Sequence, residues 1–175
     1  HLTITSGTSV DMDGKTQIGA NAIGALTING GSLYLKGGKL EVLGATNVAS
    51  VIDLGSGGEL TLSGGGTITG TNALAGTGTL NVNGGTGTVL NINGANSALN
   101  AGATIAAGNT VNLTAFDGLG AGNISLSGTL SVNGAASGDL TNTITFGGTA
   151  GVLGFSGSQG TVSGTLSGTG TLGRS

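Results

Sequence analysis

An all-β fold, built as a parallel β-solenoid with about three short strands per rung and almost no helix, is what this sequence predicts. Three observations lead there. The 175 residues contain 40 glycines and no proline. A short phrase recurs, aliphatic–polar–aliphatic followed by Asn or Ser and then Gly. It reads Leu26-Thr27-Ile28-Asn29-Gly30-Gly31, Leu60-Thr61-Leu62-Ser63-Gly64-Gly65, Leu80-Asn81-Val82-Asn83-Gly84-Gly85, Leu90-Asn91-Ile92-Asn93-Gly94 and Leu130-Ser131-Val132-Asn133-Gly134. Finally, hydrophobic residues make up 37% of the chain but aromatic ones only 2%, so the core is thin and filled by Leu, Ile, Val and Ala. Alternation at period two puts both aliphatics of a phrase on one face, and Asn-Gly supplies the positive φ of a tight corner.

The missing proline fits this picture. In a solenoid each rung is hydrogen-bonded above and below, so a residue without an N–H breaks a ladder. Collagen is excluded because glycine has no strict three-residue period. Disorder is disfavoured by 6% charged residues, a mean hydropathy of +0.33 and regularly placed aliphatics. A β-sandwich competes, since Asn-Gly also marks hairpins, but it wants longer strands, aromatic anchors and prolines in its loops.

Taken in order, the strand seeds are Leu2–Ile4, Ile23–Ile28, Leu33–Leu35, Leu40–Leu43, Val51–Leu54, Leu60–Leu62 and Thr67–Thr69. Thr79–Val82, Val89–Ile92, Ala103–Ile105, Thr110–Leu113, Asn123–Leu126, Thr129–Val132 and Thr143–Phe146 follow. The last are Val152–Phe155, Thr161–Ser163 and Thr165–Ser167. Each is a short β-prone run bounded by glycine or small polar residues. Residues 5–22 and 69–79 are longer gaps without a seed. Rungs of roughly 20 residues imply eight or nine rungs, stacked at ~4.8 Å into a rod about 40 Å long. Apolar spacing at three and four residues is sustained nowhere, so helix is nearly absent.

The whole chain, 1–175, reads as one solenoid domain in two parts. Residues 1–60 hold Asp11, Asp13, Lys15, Lys36, Lys39, Glu41, Asp53 and Glu59, whereas residues 61–175 hold only Asp117, Asp139 and Arg174. The second part is coated in Gly, Thr, Ser and Asn. A net charge of −3 with four Lys and Arg argues against a nucleic-acid partner. No cysteine is present, so there is no disulfide framework and no thiol nucleophile. No stretch approaches the ~20 apolar residues of a membrane span.

Nothing in the sequence assembles catalytic chemistry, and no enzyme activity, cofactor or metal is expected. His1 is the single histidine, and a copper brace needs a second. Asp11-Met12-Asp13-Gly14-Lys15 alternates carboxylates like a calcium loop but lacks the third short ligand and the distal Glu; an Asp-Gly turn is the plainer reading. Asp53, Asp117 and Asp139 stand alone, and a sugar-stacking platform is missing with Tyr34 the single tyrosine and no Trp. Gly64-Gly65-Gly66 lacks the Lys-Ser/Thr of a phosphate loop. The pairs Thr67/Thr69, Thr77/Thr79, Thr86/Thr88, Thr141/Thr143/Thr145 and Thr169/Thr171 raise ice binding as an alternative, although their sequence spacing is not constant.

The phrases Gly78-Thr79-Leu80-Asn81-Val82-Asn83-Gly84-Gly85, Gly58-Glu59-Leu60-Thr61-Leu62-Ser63-Gly64-Gly65 and Gly128-Thr129-Leu130-Ser131-Val132-Asn133-Gly134 resemble the passenger repeats of bacterial autotransporter and related adhesin β-helices. The resemblance implies a secreted, cell-surface, right-handed parallel solenoid without catalysis, acting in adhesion or as a stalk. Passengers are usually much longer and continue into a membrane barrel, so the chain is expected to be either an excerpt or a small relative. An adhesin module binding a host surface or glycan is therefore an alternative function.

The leading expectation is a structural subunit that self-assembles into a fibre or surface layer. The chain opens on the seed Leu2-Thr3-Ile4 and closes on Thr165-Leu166-Ser167 and Thr171-Leu172, with no capping helix in the pattern. Those eight residues are the expected subunit joint of a homopolymer, formed by solenoid ends or strand exchange. Stacking two ends hides roughly 600 Å², worth ~8 kcal/mol at half apolar area. Association costs on the order of 4–15 kcal/mol, so the joint is marginal to favourable before ladder hydrogen bonds are added.

Overall fold

The computed structural model describes residues 1–133, 138–157 and 160–174, and the last residue of the Leu130–Gly134 phrase lies outside them. The chain forms a parallel β-solenoid of about 8 turns. The first rung holds β1 (Leu2–Thr5), β2 (Ser9–Asp11) and β3 (Thr16–Gln17), followed by a 3-10 turn at Gly19–Asn21. The second holds β4 (Leu26–Asn29), β5 (Ser32–Tyr34) and β6 (Lys39–Val42). The third holds β7 (Thr46–Val48), β8 (Val51–Asp53) and β9 (Glu59–Leu62), and the fourth β10 (Gly66–Thr69), β11 (Leu74–Ala75) and β12 (Thr79–Val82). The fifth and sixth are β13 (Val89–Asn93) with β14 (Gly102–Ile105), then β15 (Thr110–Leu113) with β16 (Ile124–Leu126). The seventh contains β17 (Thr129–Val132), β18 (Gly138–Leu140) and the start of β19 (Ile144–Phe155), which rounds a corner into the eighth. There β20 (Gly160–Val162) precedes β21 (Leu166–Arg174), whose last residues begin a further rung.

Strands stack on three faces, in chain order A, B and C. Face A runs β1, β4, β7, β10, β13, β15, β17, the end of β19 and the end of β21. Face C runs β3, β6, β9, β12, β14, β16 and the first halves of β19 and β21. Face B pairs β2, β5, β8 and β11, and later β18 with β20. Every strand pairing on these faces is parallel, as Leu2 against Leu26, Leu60 against Leu80 and Leu33 against Ile52 illustrate. Rung length varies: Leu2 lies over Leu26, 24 residues on, whereas Val152 lies over Thr171, 19 residues on.

The core is a set of inward columns. On face C, Leu40, Leu60, Leu80, Ala103, Ile124 and Ile144 succeed one another from rung to rung and are buried. On face A, Ile4, Ile28, Val48, Ile68, Ile92, Leu113 and Val132 do the same. Period-two alternation thus does what the recurrent phrase requires, with one aliphatic layer per rung sealed by the next. The three phenylalanines lie in the later rungs, whereas Tyr34 is in the second. Phe116 stacks with Phe155 at 6.4 Å between centroids and fills the space above Gly138 and Gly160, where a Cβ would strike its ring.

Glycine has two distinct tasks at the corners. Gly30 follows Asn29 with φ +83°, the left-handed corner that the Asn-Gly pair predicts. Gly64 is different. Its φ is not positive, but a Cβ there would meet the Gly44 backbone of the rung below, with the Gly44 Cα at 2.6 Å. Gly84 and Gly94 are of this second kind, since neither has positive φ and a Cβ on each would strike a carbonyl of the previous rung. The expectation of positive φ at every Asn-Gly corner is therefore corrected. Rungs ~4.8 Å apart bring backbone so near that side chains are shut out.

Face B departs from three strands per rung in two places, residues 94–101 and 114–123, where turns replace strands. Buried asparagines make the missing ladder bonds. Asn96 Oδ1 accepts from the Leu74 N–H at 2.9 Å, and its Nδ2 donates to the Gly118 carbonyl at 2.8 Å. One side chain thereby ties the fourth rung to the sixth. Asn142 Nδ2 donates to the carbonyls of Gly120 (3.0 Å) and Gly122 (2.7 Å); at the corner between faces C and A, Asn109 Oδ1 accepts from the Gly84 N–H at 2.8 Å. A buried amide group left without a partner is expensive, so these side chains are structural.

Candidate functional site

The expected joint residues fall on the two open edges of the stack. Among the described residues, Leu2, Thr3 and Ile4 lie in β1, whose one strand neighbour is β4, and Leu166, Ser167, Thr171 and Leu172 lie in β21, whose one strand neighbour is β19. Thr165 directly precedes β21, and its carbonyl accepts from the Ile144 N–H at 2.8 Å. The two groups are not brought together within one chain but sit at opposite ends, each presenting a strand with a free outer edge. A parallel strand has backbone donors and acceptors on both edges, so each end is a template for another strand.

The two ends differ in character. At the first rung Ile4 is already buried at 2% exposure, and Leu2 is half-buried. Beside them is an open hollow of about 310 Å³ lined by His1, Leu2, Val10, Met12, Ile23 and Leu40 among others. Gln17 stands at the rim, in register with Leu40 and so at the foot of the face C column. At the last rung Leu166 and Leu172 are 38% and 62% exposed. Both are inward positions, Leu166 aligned with Ile144 and Leu172 with Leu153. Arg174 aligns with Phe155. Aliphatic columns that are sealed inside the stack thus emerge at its end.

The charged residues of the first rungs pair across rungs. Lys36 Nζ meets the Asp11 carboxylate and lies 5.9 Å from the Tyr34 ring centroid, and Lys39 meets Glu59 at 2.8 Å. The Lys36 hydrogen bond holds the Asp11 carboxyl below its ordinary range and, reciprocally, raises the Lys36 ammonium. Glu41 Oε2 accepts from the Gly19 N–H at 2.8 Å. Asp139 accepts from the Ser163 hydroxyl (2.6 Å) and N–H (2.9 Å), and the hydroxyl bond is the main cause that lowers its pKa. Asp53 Oδ1 caps its own turn at the Gly55 N–H, 2.8 Å away. Among the described residues no three His, Cys, Asp or Glu side chains gather in a metal-holding group, and no helix is long and apolar enough to cross a membrane.

The threonine pairs scatter. Thr67 and Thr69 are on face A, Thr79 and Thr145 on face C, and Thr86 and Thr88 in the turn before β13. What the sequence spacing concealed is an outward column on face A, Thr3, Thr27, Asn47, Thr67, Asn91, Asn112 and Ser131, one residue per rung. Asn112 Nδ2 donates to Asn91 Oδ1 at 2.9 Å along it. Rung lengths of 19 to 24 residues hide such a column from any fixed-period search.

These features define a structural class, a parallel β-solenoid. Beyond that class, comparisons with protein-family models, curated proteins and solved structures find no match for the chain.

Proposed function

We propose that the protein is a non-catalytic, extracellular structural β-solenoid whose subunits stack end to end into a fibre or surface layer. The observation that supports this is the continuity of two inward aliphatic columns up to β21, where Leu166 and Leu172 stand exposed below a strand edge without a further described strand beside it. One end differs from the other, so the contact is heterologous and builds an open filament rather than a closed dimer. The burial expected at a joint, roughly 600 Å² and ~8 kcal/mol, offsets an association cost on the order of 4–15 kcal/mol. Several ladder hydrogen bonds, each worth about 1 kcal/mol, add to it.

Sedimentation velocity and negative-stain imaging of the chain His1–Ser175 across micromolar concentrations test the proposal. Rods that lengthen with concentration are expected; a monomer at every concentration refutes it. A second reading, an adhesive module for a glycan, is favoured by the uncharged Thr/Asn column of face A and expects that monomer.

A further inference from the structure

We infer that copies join in a single register, with β21 of one copy followed by β1 of the next and Leu172 placed over Leu2. This rests on the stacking reading above and adds to it which residues meet. The face A column runs Leu2, Leu26, Thr46, Gly66, Leu90, Val111, Leu130, Leu153 and Leu172, aliphatic at both edges and interrupted only by Thr46 and Gly66. Continuing the column sets Leu172 on Leu2 of the next copy. The register is set by face A alone. β20 and the first half of β21 belong to the rung below the end of β21, so on faces B and C the same offset sets Val162 towards Val10 and Leu166 towards Gln17 across two rung spacings, with one strand position open between them.

A one-residue slip fails because it turns Leu172 outward and brings Thr171 or Gly173 into the column. A two-residue slip keeps the facing but places Leu172 on Ile4, which is already buried, and leaves the half-buried Leu2 uncovered. In the inferred register Arg174 follows the Ile4 column. Its aliphatic stem covers Ile4 of the next copy while the guanidinium reaches solvent at the rim.

The outward neighbours give the test. Gly173 of one copy then lies beside Thr3 of the next, as Gly173 lies beside Gly154 within the chain. Adjacent parallel strands put such residues ~4.8 Å apart, inside the ~4.4–6.8 Å Cα range of a disulfide. A Cβ at Gly173 meets nothing within 4 Å, Thr3 is exposed, and the chain has no cysteine of its own. The Thr3→Cys/Gly173→Cys double variant is expected to give, on mild oxidation, a ladder of multimers on a non-reducing gel that collapses with reductant. Thr5→Cys/Gly173→Cys, one residue pair out of line, should give none. Singly substituted Thr3→Cys and Gly173→Cys proteins should form dimers only when mixed.

A multimer ladder from the Thr5 pair, or rods in which the Thr3 pair stays uncrosslinked, overturns the register while leaving stacking intact. Self-crosslinking of Thr3→Cys alone overturns it in favour of a head-to-head contact. Absence of rods from the unsubstituted chain removes the stacking reading itself. Circular dichroism of each variant verifies that it retains the β fold.

Discussion

Replacing Asn96 with alanine tests whether a side chain truly stands in for a strand. Asn96 is fully buried and bonds to the Leu74 amide two rungs' breadth from the Gly118 carbonyl it also serves. Alanine strips both groups of their partner in a region that water does not reach, since Leu74 and Gly118 are themselves buried. Each orphaned group costs ~1–3 kcal/mol, so the loss is on the order of 4 kcal/mol. For a chain of this size each kcal/mol moves the midpoint by about 2–4 °C, which gives a fall of roughly 8–16 °C. Thermal and urea unfolding followed by far-ultraviolet circular dichroism measures it, and the exposed Asn47→Ala is the control, expected within ~0.5 kcal/mol of the parent. Asn96→Asp sharpens the test. It keeps an acceptor for Leu74 but turns an oxygen toward the Gly118 carbonyl, so it is unstable at neutral pH. Burial raises such a carboxyl's pKa, and protonation restores a donor, so this variant alone should gain stability as pH falls. A midpoint for Asn96→Ala within about 2 °C of the parent would refute the reasoning.

Two further outcomes follow from the corners and the charges. Gly64→Ala forces a methyl onto the Gly44 backbone and should destabilise by more than the ~1 kcal/mol typical of point changes. Gly85→Ala, with open space around it and no positive φ, should be neutral or stabilise by ~0.4–1 kcal/mol; equal effects in denaturant titration would contradict the close-stacking account. Asp11 and Asp139 have depressed pKa values in the fold. Their contribution is present above the ordinary carboxylate pKa of ~3.9 and is lost as pH falls through the lower folded values. Lys36, raised by Asp11, contributes fully below ~10.4 and loses that contribution as pH rises through its folded value. Carboxyl titration by NMR should show Asp139 return toward the ordinary range in Ser163→Ala; an unchanged titration would break the assignment.

Much of the fold was legible because its signal is local. Leu60-Thr61-Leu62 and Leu80-Asn81-Val82 each declare a strand and its inward face without reference to any neighbour. The strands that escaped are those whose identity depends on the adjacent rungs. β2, β3, β7, β11 and β18 are two or three residues long, and β7 turns Thr46 inward, buried at 2%, where the phrase predicts an aliphatic. Only its alignment with Leu26 and Gly66 marks it as a rung. Asn96, Asn109 and Asn142 were invisible for the same reason. The chain's surface is rich in asparagine, and what separates a buried ladder substitute from a solvated one is the rung on either side. The candidate site divides similarly: Leu2, Leu166 and Leu172 are readable as column ends from alternation, but the roles of Gln17 and Arg174 emerge only once registers are known.

Those two polar residues bear on how the proposed end contact would behave. Interior rungs are sealed by columns that are aliphatic almost throughout, and they form once, when the chain folds. A joint between finished subunits has to form between surfaces already solvated, without the covalent connection that makes each interior rung follow its predecessor. Were Gln17 and Arg174 aliphatic, each free end would expose a complete apolar layer, and ends would pair as readily with themselves as with each other. A carboxamide at the foot of the face C column and a guanidinium at the head of the Ile4 column interrupt that layer at different places on the two ends. Like ends then set polar groups against aliphatic ones without any ladder direction to match, since parallel pairing requires the outer edge of β21 to meet that of β1. In the proposed filament such a contact would be weak but directional, and would favour one polarity over indiscriminate aggregation.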